Sequence, residues 1–292
     1  MLGVEPTLEA RPLLTGLTIG ESPRWHDGRL WLANWGAGEI VAVDLDGDAE
    51  VVGKGPSGLG WSFDWLPDGR LLITGDGLWR REPDGELTAH ADLGPLGVGD
   101  FNELVVDGRG NVYINGGCEF DPGEGKPPGV IGLVTPDGDC ARVADGIAFP
   151  NGMAVTPDNA TLIIAESHGR RLTAFDIADD GALSNRRAWA EDVGPDGICV
   201  DAGGAVWTGV GGFGDNLVGR VLDGGAVRER VQLSMPCFAC MLGGERRDTL
   251  FMLVADWRIS DDPADNIARL TDGPRTGQVL VADAPAPGVG WP

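Results

Sequence analysis

The sequence predicts an all-β fold: a six-bladed β-propeller with four-stranded blades, closed by N- and C-terminal strands that share one blade. Three observations carry the prediction. A short strand-forming unit recurs six times, tight turns rich in Asp and Gly precede the copies, and helical periodicity is absent along the 292 residues. The 48 Gly and 20 Pro therefore read as punctuation between short strands.

The units are RLWLAN (29–34), RLLITG (70–75), NVYING (111–116), TLIIAE (161–166), AVWTGV (205–210) and TLFMLV (249–254). Their anchors, Leu30, Leu71, Val112, Leu162, Val206 and Leu250, are 41, 41, 50, 44 and 44 residues apart. The turns are HDG (26–28), PDG (67–69), DGRG (107–110), PDN (157–159) and DAGG (201–204). They supply backbone conformations that β-branched residues resist. An apolar strand precedes each turn, as in FDWL (63–66) and MAVT (153–156). A third follows each anchor, as in IVAVDLDG (40–47), VIGLVTPDG (130–138) and RLTAFDI (171–177), and a fourth comes after it. A β-sandwich has no reason to repeat at this period, and β-helix repeats are shorter. The segment LEARPLL (8–14) is expected to supply the outer strand of the blade built from residues 235–283, which removes the open edge. One domain over residues 1–292 is expected.

Composition sets the partners. With 45 Asp and Glu against 22 Lys and Arg, the net charge is −23, which argues against nucleic acid and anionic membrane surfaces. No apolar run reaches the roughly 18 residues of a membrane span, and the first sixteen residues lack the pattern of an export signal. A cytoplasmic protein, monomeric or weakly dimeric, is expected. The five Cys (118, 140, 199, 237, 240) are read as reduced, and the pair Cys237 and Cys240 as core residues of a buried strand. His26, His90 and His168 lie near no recognisable nucleophile motif, which argues against a catalytic triad. The Gly-rich stretch 209–214 opens no helix, which excludes a dinucleotide site.

Polar residues break the pattern where each innermost strand begins. The six entering segments are GESPRW (20–25), GWSFDW (60–65), DFNELV (100–105), FPNGMA (149–154), GPDGIC (194–199) and MPCFAC (235–240). Aligned on the strand that follows, Ser22, Ser62, Asn102, Asn151, Asp196 and Cys237 are equivalent, with Glu21 one place earlier. Glu21, Asn102, Asn151 and Asp196 thus come from four blades toward one axis. Four oxygen donors, two of them carboxylates, suit a hard divalent cation. The competing reading makes the Asn-Gly and Asp-Gly pairs at 151–152 and 196–197 simple turns.

These segments resemble the SMP-30/gluconolactonase/luciferin-regenerating-enzyme family. The matching pieces are GESPRW, FNELVVD (101–107), FPNGMAVTPD (149–158), AESHGRRLTAFDI (165–177), GPDGICVD (194–201) and DTLF (248–251), in order over nearly the whole chain. The resemblance implies a six-bladed propeller with one divalent metal in the channel, Ca2+ or Zn2+ in most members; Mg2+ and Mn2+ are also considered. It implies Glu21, Asn151 and Asp196 as metal ligands and Asn102 as a fourth ligand or substrate contact. Members hydrolyse sugar lactones and related esters, so a small-molecule lactone is the expected substrate. One position departs. The family often carries Arg two residues before its Asn, and Asp100 stands there; an acid has no guanidinium fork. Asp100 is assigned to substrate hydroxyls or to the surroundings of the metal.

The expected chemistry is lactone opening, with the metal as Lewis acid and Asp196 accepting a proton from water. The long third interval holds the Gly/Pro-rich stretch 118–128, expected to cover the channel mouth and to bring Glu119, Asp121 and Lys126 to the substrate. Trp35, Trp61 and Trp257 are expected to wall the pocket. Two alternatives stand beside this: a non-hydrolytic, strictosidine synthase-like propeller enzyme, and a non-catalytic calcium-binding propeller.

Overall fold

A computed structural model describes residues 7–117, 128–212, 215–256, 265, 268 and 273–292. Six sheets form six blades of four antiparallel strands each, one sheet gaining two further short strands from the chain ends. Blade 1 comprises Ile19–His26, Arg29–Trp35, Glu39–Val43 and Ala49–Lys54. Blade 2 comprises Phe63–Trp65, Leu71–Thr74, Leu78–Arg81 and Leu87–Ala89. Blade 3 comprises Phe101–Val106, Val112–Gly116, Gly129–Val134 and Cys140–Ile147, and blade 4 Pro150–Val155, Thr161–Glu166, Arg171–Ile177 and Leu183–Glu191. Blade 5 is built on Cys199–Asp201, Ala205–Val210, Leu217–Leu222 and Val227–Gln232. Blade 6 is built on Cys237–Gly243, Thr249–Val254 and Gly277–Asp283. All six anchors fall in the second strand of their blades.

The turn before each anchor holds a left-handed residue: Gly28, Gly69, Gly110, Asn159, Gly204 and Arg247. At the first, Asp27 (φ 48°) and Gly28 (φ 74°) form a two-residue loop of the kind that matches strand twist. Many of the acids serve these turns. Asp68, Asp107, Asp158 and Asp201 each accept a backbone N–H two residues ahead.

Apolar side chains pack between neighbouring blades. Ile19, Ala33 and Ile40 of blade 1 meet Phe63 and Ile73 of blade 2. Leu30 and Leu32 close the ring against Leu250 and Met252 of blade 6. Each interface removes apolar surface that a lone sheet would leave in water.

Closure follows the expected exchange and adds two contacts. Arg11–Leu17 pairs antiparallel with Gly277–Asp283 as the outer strand of blade 6. Thr7–Leu8 also pairs parallel with the outer strand of blade 5, and Gly288–Val289 pairs with that blade's inner strand, Cys199–Asp201. The chain then crosses to blade 4, where Val155 and Trp291 exchange backbone hydrogen bonds of 2.7 and 2.9 Å. Helical geometry among the described residues is confined to Gly94–Leu96, Asp265 and Ala268, and no described helix is long and apolar enough to cross a membrane.

Gly290 makes that crossing at φ 77°, with the space for a Cβ filled by the Val155 carbonyl. Gly290→Ala is therefore expected to lower stability by about 1–3 kcal/mol. Urea unfolding measures this, and an unchanged midpoint would mean that the crossing contributes nothing to closure.

Candidate functional site

Four inner strands are irregular at one end of the channel. Pairing registers slip between Glu21 and Arg24, Phe101 and Leu104, Pro150 and Met153, and Cys237 and Ala239. Such bulges re-aim side chains that regular alternation would send to a blade face. Two residues beside them are left-handed, Ser22 (φ 47°) and Phe149 (φ 59°). For a bulky aromatic this is a strained conformation, held by the surrounding structure.

These distortions bring Glu21, Asn102, Asn151 and Asp196 together. Asn102 Nδ2 lies 3.5 Å from the Pro150 carbonyl, next to Asn151. The Asn151 side chain hydrogen-bonds the Asp196 carboxylate. Glu21 is 4% exposed and feels the charges of both Asp196 and Glu103. Asp196 is half-buried, but its Oδ1 is closed off from solvent with no hydrogen-bond partner.

The Asn-Gly and Asp-Gly pairs are not hairpin turns. A Cβ on Gly152 would sit 2.6 Å from the Asp196 carbonyl oxygen and 2.7 Å from Gly197 Cα. A Cβ on Gly197 would collide with Ala239. The glycines let three inner backbones crowd together, which sets Asn151 beside Asp196.

Beneath these four groups lies a buried charge network that the sequence reading did not assign. Glu103 accepts from Ser22 Oγ (3.1 Å) and Arg24 Nη2 (3.0 Å). Arg24 also donates to the Leu104 carbonyl (2.7 Å), and its Nε faces Asp64 at 3.6 Å. Asn115 ties the layer to the site, accepting from the Glu103 N–H and donating to the Asn151 carbonyl at 2.7 Å. The available signal was an Arg and a Glu inside strands that must be buried on both faces.

The electrostatics follow from this arrangement. Burial, then the nearby Asp196 and Glu103, push the Glu21 carboxyl well above the ordinary range. Burial and Glu103 push Asp196 up to about 8, against the lowering effect of the Asn151 bond. Arg24 contacts Glu103 and Asp64; its charge also lowers the Glu21 carboxyl, but by less than burial, Asp196 and Glu103 raise it.

Other expected site residues fall differently. Asp100 is exposed on the rim of a cleft of about 880 Å³ that reaches Asn102. Trp61 lines that cleft, whereas Trp35 is packed in the core and donates to the Trp61 carbonyl at 2.7 Å. Glu119, Asp121, Lys126 and Trp257 lie outside the described residues. Cys240 is buried as expected. Cys237 is partly buried and packs against the core as expected, and its thiol also feels Asp196 and Glu21 of the channel. Among the described residues no three His, Cys, Asp or Glu side chains form a cluster able to hold a metal. Any cation here must use the amides as well.

A propeller whose inner strands converge carboxylates and amides on its channel defines the class. The chain matches the SMP-30/Gluconolactonase/LRE-like region over residues 19–256 and belongs to that family. It is 25% identical to a 6-deoxy-6-sulfogluconolactonase of Pseudomonas putida over 94% of each chain. Its fold is that of a luciferin-regenerating enzyme (TM-score 0.81, 18% identity, covering 97% of this chain and 98% of the other). Regucalcin, a calcium-binding protein from Agrobacterium tumefaciens, is also similar (TM-score 0.75, 21% identity, covering 99% of each).

Two expectations follow. Gly152→Ala forces apart the inner strands of blades 4 and 5, and should weaken divalent-cation binding by about tenfold or more while circular dichroism stays that of a β-protein. Unchanged affinity in calorimetric titration would refute it. The second concerns Glu166, fully buried, which accepts from Arg171 (2.8 Å), Arg186 (3.0 Å), Thr173 (2.6 Å) and the Ala148 N–H (2.9 Å). Burial opposes ionisation, but these donors outweigh it and bring the carboxyl from 4.5 to about 2. A lowered folded pKa means stability present above about pH 4.5 and lost as pH falls toward 2. Thermal melts should therefore fall more steeply between pH 5 and 2 in the parent than in Glu166→Gln; parallel slopes would contradict this.

Proposed function

We propose that this chain is a metal-dependent hydrolase that opens a lactone at the channel site. The observation that carries the reading is the pair of channel carboxylates, with Asp196 close enough to raise the Glu21 carboxyl and with one oxygen, Asp196 Oδ1, shielded from solvent and unpartnered. Burying two carboxylates this way is costly unless a positive group joins them. The donor set fits a hard divalent ion. Glu21 and Asp196 supply the balancing charge, and an amide that donates through nitrogen, as in Asn102 and Asn151, still offers its carbonyl oxygen. All four donors are oxygen, which favours calcium over zinc. The similar sulfogluconolactonase of Pseudomonas putida supports a lactone as the substrate class.

A divalent ion held by Glu21, Asn102, Asn151 and Asp196 would, when bound, act as a Lewis acid on the lactone carbonyl. The residues do the rest. A water oxygen bonds to the carbonyl carbon, the ring C–O bond breaks, and one proton passes from water to the leaving alkoxide. Asp196 is assigned the base role, because it is the half-buried channel carboxylate, in contact with no arginine. Asn102 orients the substrate from the cleft side, and Asp100 contacts it at the rim. Glu103 is held by Ser22 and Arg24, so it acts as a fixed charge rather than a moving base.

Glu21→Gln and Asp196→Asn should each lower kcat/KM by about 10²–10⁴-fold. In the presence of a chelator, each variant should melt at or above the parent's temperature, because one of two opposed charges is gone. Steady-state kinetics and calorimetry, with metal analysis of the purified protein, measure both. Full activity in either variant, or activity indifferent to EDTA, would sink the proposal.

A further inference from the structure

We propose that the lactone carries a bulky apolar group, an aryl ring or an alkyl chain, and that this group lodges in the cleft between blades 1, 2 and 3. The inference rests on the lactonase reading for the reacting end and on the cleft alone for the other end.

At about 880 Å³ the cleft lies in the upper part of the range for small-molecule sites, roughly 300–1,000 Å³. It borders the proposed reaction centre at one residue. Asn102 lines both, and a Cβ on Gly60 would lie 3.8 Å from Asn102 Oδ1. The space exists because the blade 1–2 connection, GPSGLG (55–60), is half glycine: Gly58 and Gly60 turn at φ 105° and 74°, and Gly55 lies flat against the Trp61 ring.

The lining chemistry is apolar where a substituent would rest. Pro56, Leu59, Trp79, Leu87 and Phe149 contribute partly or fully accessible apolar surface, over a floor of buried Ile73 and Phe101. Leu87 is 50% exposed, one of four exposed large apolar side chains among the described residues. Phe149 holds its place through the strained backbone next to Asn151 and a ring contact with His168 at 4.3 Å. Polar groups are few. Asp76 is engaged by Trp79 Nε1 at 3.0 Å, and Lys54 and Asp100 are exposed. A polyhydroxylated ring would leave most of its hydroxyls facing carbon here, whereas a flat hydrocarbon would remove that carbon from water.

The test compares kcat/KM for three δ-lactones: aryl-fused dihydrocoumarin, unsubstituted valerolactone and polyhydroxylated gluconolactone. Dihydrocoumarin, whose phenoxide leaves more readily than an alkoxide, should be preferred by about tenfold or more beyond the ratio of the hydroxide-catalysed rates, the discrimination a hydrocarbon pocket supplies. In Leu87→Asp, a surface change that leaves the core intact, the dihydrocoumarin-to-valerolactone ratio should fall about tenfold, mainly through KM. Trp79→Ala should act in the same direction. A second arm titrates the matching lactam, 3,4-dihydro-2-quinolinone, into chelated parent protein by calorimetry; binding weakened by Leu87→Asp is expected. Preference for gluconolactone, or equal losses on all three lactones with no lactam binding, would overturn the cleft assignment. Lactam binding without hydrolysis of any lactone would support the cleft and overturn the lactonase reading instead.

Discussion

The structure turns on a shortage of positive charge in its channel. Glu21, Asp64 and Glu103 are buried, Asp196 has an enclosed oxygen, and Arg24 is the one buried cationic side chain among the described residues. Arg24 serves Glu103 and Asp64. A buried carboxylate with no paired cation costs free energy, and Glu21 and Asp196 keep only neutral hydrogen-bond donors, the Ser22 N–H for one and the Asn151 side chain for the other. The bulges, the left-handed Ser22 and Phe149, and the crowded glycines of blades 4 to 6 are further local costs at the same end of the channel. Clustering of unfavourable features at one place is what a functional site requires and what packing alone would remove.

The apolar interfaces between blades offset that cost. They run up to the cleft itself, where Trp61 and Phe101 belong both to the core and to the lining. Closure makes the frame rigid. The outer strand of blade 6 comes from Arg11–Leu17, and the segment around Gly290 bridges the inner strands of blades 5 and 4. The latter contact sits at the end of Pro150–Val155 opposite Asn151. One strand is thus fixed at both ends, by the bridge at Val155 and by crowding at Gly152.

The repeat was legible in the sequence because it is local. Each anchor, each Asp-Gly turn and each alternating strand is decided by residues within a few positions of one another. The positions of Asn102, Asn151 and Asp196 were legible for the same reason, since the repeat gives them a common register, with Glu21 one place earlier. What closes the ring at its seam is not local. Thr7–Leu8 and Gly288–Val289 are too short to announce themselves as strands and gain their partners only after the blades form. Cys237 read as core because its neighbours are apolar, and it packs there, while its thiol also feels the channel acids. The two glycine pairs read equally well as turns, because the close approach that requires Gly152 and Gly197 involves other blades.

The acids show why sequence alone could not rank the site residues. Asp158, in a turn, accepts from Thr156 and a backbone N–H, and its carboxyl is held below the ordinary value. Asp196 is the same residue type beside a glycine, yet burial and Glu103 push it the other way. The bonds that separate these fates span long stretches of chain: 81 residues from Ser22 to Glu103 and 79 from Arg24 to Glu103. Composition counts both acids as one unit of a −23 excess. Most of that excess can sit in solvated turns at little cost. A carboxylate acquires chemistry only where the closed ring limits its water and sets no cation in contact with it, and that condition belongs to the fold as a whole rather than to any motif.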